Sequence, residues 1–199
     1  MIELETPHGP ARAHVNEAEE PVAVLVLGHG AGGGVGAPDL KAATEAGLAV
    51  NVTTILVEQP YRVAGRKSAA PAAQLDTAFK AVIEQLPIGG LPLYVGGRSS
   101  GARVACRTSG AVGATGVLCL AFPLHPPGRP EKTRLPELEQ VTVPVLIVQG
   151  ESDPFGMPPD APNRRVVRLK GNHSLKSDVR GLRAAVTAFL SGGNDGDVD

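Results

Sequence analysis

The chain has 199 residues, 42% of them hydrophobic, and a formal net charge of −1. These values fit one globular domain with a continuous core and exclude a disordered chain or a polyelectrolyte. Near-neutral charge removes any general attraction to nucleic acid or an anionic membrane, and 3% aromatic residues leave little material for stacking on bases or sugars.

Residues 1–5 show no basic segment leading into an apolar one, and no apolar run approaches the roughly 18 residues of a membrane helix. The expectation is a cytoplasmic protein, monomer or homodimer, that binds neither nucleic acid nor membrane. Cys106 and Cys119 lack metal or redox spacing and read as small core residues.

Segments 2–5 and 11–15, separated by Thr6-Pro7-His8-Gly9-Pro10, read as an edge hairpin that widens a sheet. Residues 21–27 form a Val/Ala/Leu run suited to a parallel strand covered on both faces. It runs into Gly28-His29-Gly30-Ala31-Gly32-Gly33-Gly34, ahead of a helix over 38–46 stopped by Gly47. A His-Gly-x-Gly loop can bare amides that stabilise an oxyanion, here Ala31 or alternatively Gly32, together with the amide of Ser100. The same glycines at 28, 30 and 33 also spell G-x-G-x-x-G, a dinucleotide cradle with Glu58 as ribose ligand. A glycine-rich turn with no ligand is the third possibility.

Residues 50–57 form the next strand, leading into the loop 58–67. Tyr61 and Arg62 lie there on the strand-end rim, and Arg62, Arg66 and Lys67 are either a solvated basic loop or an attraction for an anionic substrate. Over 72–86, Leu75, Phe79, Val82, Ile83 and Leu86 fall at helical spacing and read as core.

The run Leu93-Tyr94-Val95 precedes Gly97-Arg98-Ser99-Ser100-Gly101, and an alanine-rich helical segment ending at Gly110 follows it. Gly97-x-Ser99-x-Gly101 thus stands in strand–turn–helix context, where small residues two before and two after let the chains pass closely. An ordinary helix entry, with Ser99 or Ser100 as its cap, is the alternative. Arg98 either holds a substrate carboxylate or pairs with an acid to brace the turn.

Residues 117–122 form another strand, 123–130 are too proline-rich for helix, and 131–140 can form one short helix. This interval of about twenty residues is where many hydrolases insert a cap, so the site should be open. Leu124 and His125 lie on its rim, the latter a pocket-lining residue or a rival base.

The strand over 143–149 leads to Glu151-Ser152-Asp153-Pro154-Phe155-Gly156, in which Asp153 is the preferred acid and Glu151 the fallback. Phe155 and Met157 sit on the same loop. A last strand over 166–169 precedes Gly171-Asn172-His173, and His173 is expected to open a helix through Leu190. Residues 191–199 read as a flexible acidic tail, leaving 1–190 as a single domain.

Ser99, Asp153 and His173 follow the order of an α/β-hydrolase, which differs from that of chymotrypsin-like or subtilisin-like proteases. With Gly-Arg-Ser-Ser-Gly, Gly-Glu-Ser-Asp-Pro-Phe-Gly and Gly-Asn-His, the chain resembles the α/β-hydrolase superfamily on its dienelactone-hydrolase-like side. The loops His29-Gly30-Ala31-Gly32 and 122–128 make it similar to a small cap-less group related to the hydrolase-like domain of the third subunit of the non-specific lethal chromatin complex. The resemblance spans 21–190. It implies a three-layer α/β/α sandwich on a mostly parallel twisted sheet, and a Ser99–His173–Asp153 triad.

The expected activity is hydrolysis of a small ester or thioester without metal or organic cofactor, through an acyl-enzyme, with Ala31 and Ser100 as oxyanion donors. Gly32, Tyr61, Arg62, Leu124, His125 and Phe155 are candidate substrate contacts. The competing readings are a catalytically silent binding or scaffold domain and a dinucleotide-binding oxidoreductase using Gly28, Gly30 and Gly33.

Overall fold

The computed structural model describes residues 1–192, so most of the expected tail, from position 193 on, lies outside the described residues. One sheet takes eight strands: β1 (Ile2–Leu4), β2 (Ala11–Asn16), β3 (Ala23–Gly28), β4 (Val52–Glu58), β5 (Leu93–Arg98), β6 (Gly116–Leu120), β7 (Val145–Gly150) and β8 (Arg164–Leu169). The helices are α1 (Pro38–Leu48), α2 (Pro60–Val63), α3 (Ala72–Gln85), α4 (Ser100–Thr108), α5 (Leu135–Glu139) and α6 (Val179–Leu190).

The strand order is β1-β2-β4-β3-β5-β6-β7-β8. The β1–β2 hairpin adds to β4 antiparallel, and all pairs from β4 to β8 are parallel. Alternation along each strand feeds two cores. Val24, Val26, Val95, Val117 and Ile147 pack with Phe79 and Val82 of α3 and Ala105 of α4. Leu25, Leu27, Leu118, Leu146 and Val148 pack with Leu40 of α1 and Leu182 and Val186 of α6. Burial on both faces explains why the parallel strands read as unbroken apolar runs, and the three layers are those expected. Cys106 and Cys119 belong to the first core with their Sγ atoms 3.6 Å apart, and the hydrogen bond to Cys106, then burial, raises the Cys119 pKa and keeps it a thiol.

The topology fixes where a ligand can sit. From β3 the chain crosses to β4 on one side through α1, and from β4 it returns past β3 to β5 through α3, which lies on the opposite face. Right-handed crossovers in opposite directions open a crevice beyond the carboxyl ends of β3 and β5, where the order reverses. Gly28 ends β3 and pairs in register with Gly97 of β5, so the glycine-rich loop and the Ser99 turn leave the sheet side by side.

Three local expectations change. His173 does not open a helix: the Asn172 side chain accepts from the Ser174 amide and hydroxyl, and Leu175 takes a left-handed φ of 51° to drop its side chain into the core. The helix starts only at Val179, where the Asp178 carboxylate accepts from the Gly181 amide at 2.8 Å. The loop after β4 begins with the single turn α2, favoured by Pro60 at its first position. The short helix expected over 131–140 is confined to α5.

His29 ties the ends of β3 and β4 together. It is 3% exposed; its Nδ1–H donates to Gly30 O at 2.8 Å, and its Nε2 accepts from the Gln59 amide at 3.1 Å. An Nε2 that accepts is unprotonated, so this tie needs the neutral ring. Burial is the main cause that holds the His29 pKa below the ordinary histidine value.

Two outcomes follow from this packing. A Cβ on Gly101 would overlap Gly28 O, whereas one on exposed Gly32 would meet nothing within 4 Å. Gly101→Ala should therefore lower unfolding stability by about 1–3 kcal/mol, and Gly32→Ala by less than about 0.5 kcal/mol, as read from urea midpoints. For His29 the folded state holds fewer protons than the unfolded state. Its contribution to stability is complete above about pH 6.5 and declines as pH falls below that value. The native chain should lose more stability than His29→Gln between pH 7.5 and 5, and parallel pH profiles would contradict this role.

Candidate active site

Ser99 occupies the turn between β5 and α4 with φ 51° and ψ −107°, a region L-residues rarely enter and one that stores about 1–3 kcal/mol of strain. The surroundings leave it no alternative. Its amide donates to Leu120 O of β6 at 2.9 Å, and a Cβ on Gly97 would stand 2.5 Å from Gly28 O. Ser99 stands at the helix N-cap position, yet its side chain makes no capping bond. The hydroxyl instead lies 3.0 Å from His173 Nε2.

His173 Nδ1 lies 2.8 Å from Asp153 Oδ2. A carboxylate can only accept, so the ring proton sits on Nδ1 and Nε2 accepts from the Ser99 hydroxyl. The Asp153 side chain is 1% exposed and fully engaged: Oδ1 accepts from the Phe155 amide at 2.8 Å, and Oδ2 also accepts from Gln149 Nε2 at 2.9 Å. Glu151, the fallback acid, is exposed and its carboxylate takes no partner among the described residues.

Gln149 is fully buried near the end of β7, and the two hydrogens of its Nε2 are shared among Asp153 Oδ2, Phe122 O at 3.0 Å and Gly156 O at 2.9 Å. The sequence reading passed over it. Its signal is one polar side chain in the otherwise apolar run Val145-Leu146-Ile147-Val148, just ahead of the acid loop.

Arg98 takes the bracing role. Its Nη1 donates to Asp39 Oδ2 at 2.6 Å and to the backbone O of His173 at 3.1 Å, and the Asp39 side chain is fully buried. Asp39, from the first turn of α1, was also missed, because nothing in its local sequence marks a partner 59 positions away.

The glycine-rich loop is held by Tyr61, whose hydroxyl donates to Ala31 O at 2.8 Å and whose ring lies 5.7 Å from that of His29. At 5% exposure Tyr61 braces the loop from behind and does not line the cavity beside Ser99, and burial raises its phenol pKa. The amides of Ala31 and Ser100 have no acceptor among the described residues. The dinucleotide geometry is missing: α1 begins at Pro38, well past Gly33, Gly28 packs on Gly101, and the Glu58 carboxylate lies 2.9 Å from His14 Nε2.

Ser99, Ser100 and Ala31 border one open cavity of about 290 Å³, together with Pro123, Phe155 and Arg134. Phe155 also packs on the His173 ring, with centroids 4.3 Å apart. The remaining candidate contacts do not line it. Gly32 is exposed; Arg62 Nη1 donates to Arg66 O at 3.5 Å; Leu124 packs on the core. His125 points its Nδ1 at Pro126 O, 2.8 Å away, and packs its ring against Gly156, so it does not compete for Ser99. Arg66 and Lys67 are exposed, which fits a solvated loop.

Similar architecture is found in a lid-less α/β serine hydrolase from Xanthomonas campestris, with a TM-score of 0.77 at 20% identity over 96% of this chain and 93% of that one. Est1E from Butyrivibrio proteoclasticus matches with a TM-score of 0.77 at 16% identity, over 96% and 98% of the two chains. Dienelactone hydrolase from Anabaena variabilis matches with a TM-score of 0.72 at 15% identity, over 96% and 94%. At such identities the likeness is one of fold. The sequence itself matches the alpha/beta hydrolase domain family across residues 21–181, most of the chain. With the reversal of strand order, the sharp turn at Ser99 and that match together, the chain belongs to the α/β-hydrolase family.

Proposed function

We propose that the protein is a serine hydrolase that cleaves a small ester or thioester by way of an acyl-enzyme. The observation that carries this reading is the unbroken chain of hydrogen bonds from Ser99 Oγ to His173 Nε2, 3.0 Å, and from His173 Nδ1 to Asp153 Oδ2, 2.8 Å. Three side chains from separate loops meet at hydrogen-bond distance in the tautomer a general base requires.

As Ser99 Oγ bonds to the acyl carbon, its proton passes to His173 Nε2 and the carbonyl oxygen becomes an oxyanion. Asp153 stabilises the imidazolium and keeps it oriented. The Ala31 and Ser100 amides receive the oxyanion, and losing one such donor typically costs about 3 kcal/mol of barrier. The leaving alcohol or thiol departs with the proton from Nε2. Water then repeats the sequence, giving its proton to His173 and releasing the acid with Ser99 restored.

Gln149 is a positioning residue: it holds the Asp153 oxygen that orients the imidazole. A hydrogen bond to a charged group contributes about 1.5–3 kcal/mol, which corresponds to roughly ten- to hundredfold in rate.

A fluorophosphonate should add one adduct to the native protein and none to Ser99→Ala, by intact mass. Turnover of a short-chain aryl ester should fall by about four orders of magnitude or more in Ser99→Ala. A native protein that neither labels nor turns over ester would overturn the reading. Gln149→Leu should lower kcat by at least about tenfold with little change in KM, and an unchanged kcat would remove Gln149 from the mechanism.

A further inference from the structure

Three arginines lie on one side of the cavity that contains Ser99: Arg103 and Arg107 from α4, and Arg134 from the turn ahead of α5. Two are neutralised. Arg103 forms a fork on Glu137 at 2.9 and 2.7 Å, and Arg107 forms one on Asp76 at 2.8 and 2.7 Å with a third bond to Glu137 at 3.2 Å.

Arg134 differs. Half-buried, it makes one side-chain hydrogen bond, from Nη1 to Pro123 O at 2.9 Å, and meets no carboxylate at ion-pair distance among the described residues. The rest of its five N–H donors remain open. Burial, and then the charge of Arg103, push its pKa below the ordinary arginine value, against the opposing pull of the Glu137 carboxylate. Its backbone is anchored too, with the amide donating to Leu124 O at 2.7 Å. Two carboxylates facing three guanidinium groups leave one positive charge unmatched on the wall of this cavity.

We propose that Arg134 forms an anion subsite and that the substrate is a small ester or thioester bearing one carboxylate. This rests on the hydrolase reading above and names its substrate class. A planar guanidinium with open donors matches a carboxylate fork, and a single unmatched charge suits a monoanion better than a phosphate monoester. The volume, about 290 Å³, is at the lower end for organic ligands, so the carboxylate and the scissile bond belong to one small molecule.

The test compares matched esters. Mono(4-nitrophenyl) adipate is set against 4-nitrophenyl hexanoate for a charge on the acyl side. 4-Acetoxybenzoate is set against phenyl acetate for a charge on the leaving group, and 4-acetoxyphenyl phosphate supplies the phosphate arm. In at least one carboxylate pair, kcat/KM of the native protein should favour the anionic ester by about tenfold or more at low ionic strength, and less at high salt. The ratio should approach unity in Arg134→Gln and recover in part in Arg134→Lys. Being a ratio within each variant, it is insensitive to a general loss of folded protein.

No preference in either pair, or a preference that survives Arg134→Gln, overturns the proposal, and a larger preference for the phosphate overturns the carboxylate assignment. Absent phosphonate labelling and absent ester turnover would instead sink the hydrolase reading. The subsite is then judged by NMR titration with adipate and 4-hydroxybenzoate: binding lost in Arg134→Gln supports it, and equal or absent binding refutes it.

Discussion

The structure depends on one backbone crossing. At the end of β3, Gly28 meets the first turn of α4 at Gly101 and the end of β5 at Gly97 so closely that a Cβ on Gly97 or Gly101 would overlap main-chain atoms. That crossing lets α4 start directly above the sheet and leaves Ser99 no room for ordinary helical geometry. It also brings the loop carrying Ala31 beside the Ser100 amide. The turn at Ser99, the amides of Ala31 and Ser100 and the opening between them are therefore consequences of one packing constraint, and the strain at Ser99 is held by strand pairing and helix packing around it.

The imidazole is held from several directions by elements distant in sequence. Asp153 fixes its Nδ1, Phe155 covers the ring, and Arg98 holds the His173 carbonyl while paired to buried Asp39. Asp153 is in turn held by Gln149 and the Phe155 amide. A buried ion pair is weak evidence for stability, because desolvation offsets much of the attraction. The Arg98–Asp39 pair is better understood as a fixture: it links α1, β5 and the His173 loop, and so helps set the distance between the imidazole and the Ser99 hydroxyl.

What was legible in the sequence was what local pattern encodes. Apolar runs gave the parallel strands, and the Ser99, Asp153 and His173 loops could be placed on one rim because parallel strands end on one side. The start of α6 was not legible, since the His173 loop is shaped by the left-handed Leu175 and the Asp178 cap, and a hydrophobic stripe continues through both. Tyr61 turned inward toward Ala31, an interaction spanning thirty positions that no local pattern reports. The same holds for Asp39 with Arg98, and for Arg134, which stands out only once the partners of Arg103 and Arg107 are known.

The chain between β6 and β7 is short, with only the five-residue helix α5 to interrupt it; through Pro123 and Arg134 it walls one part of the open cavity beside Ser99 and adds no cap domain above it. On the proposed reading, an acyl group on Ser99 would be in contact with bulk solvent from the moment it formed. Solvent is present at tens of molar, and a competing alcohol, amine or thiol gains no shelter from it. Such a site would favour release of free acids over handing acyl groups to another molecule.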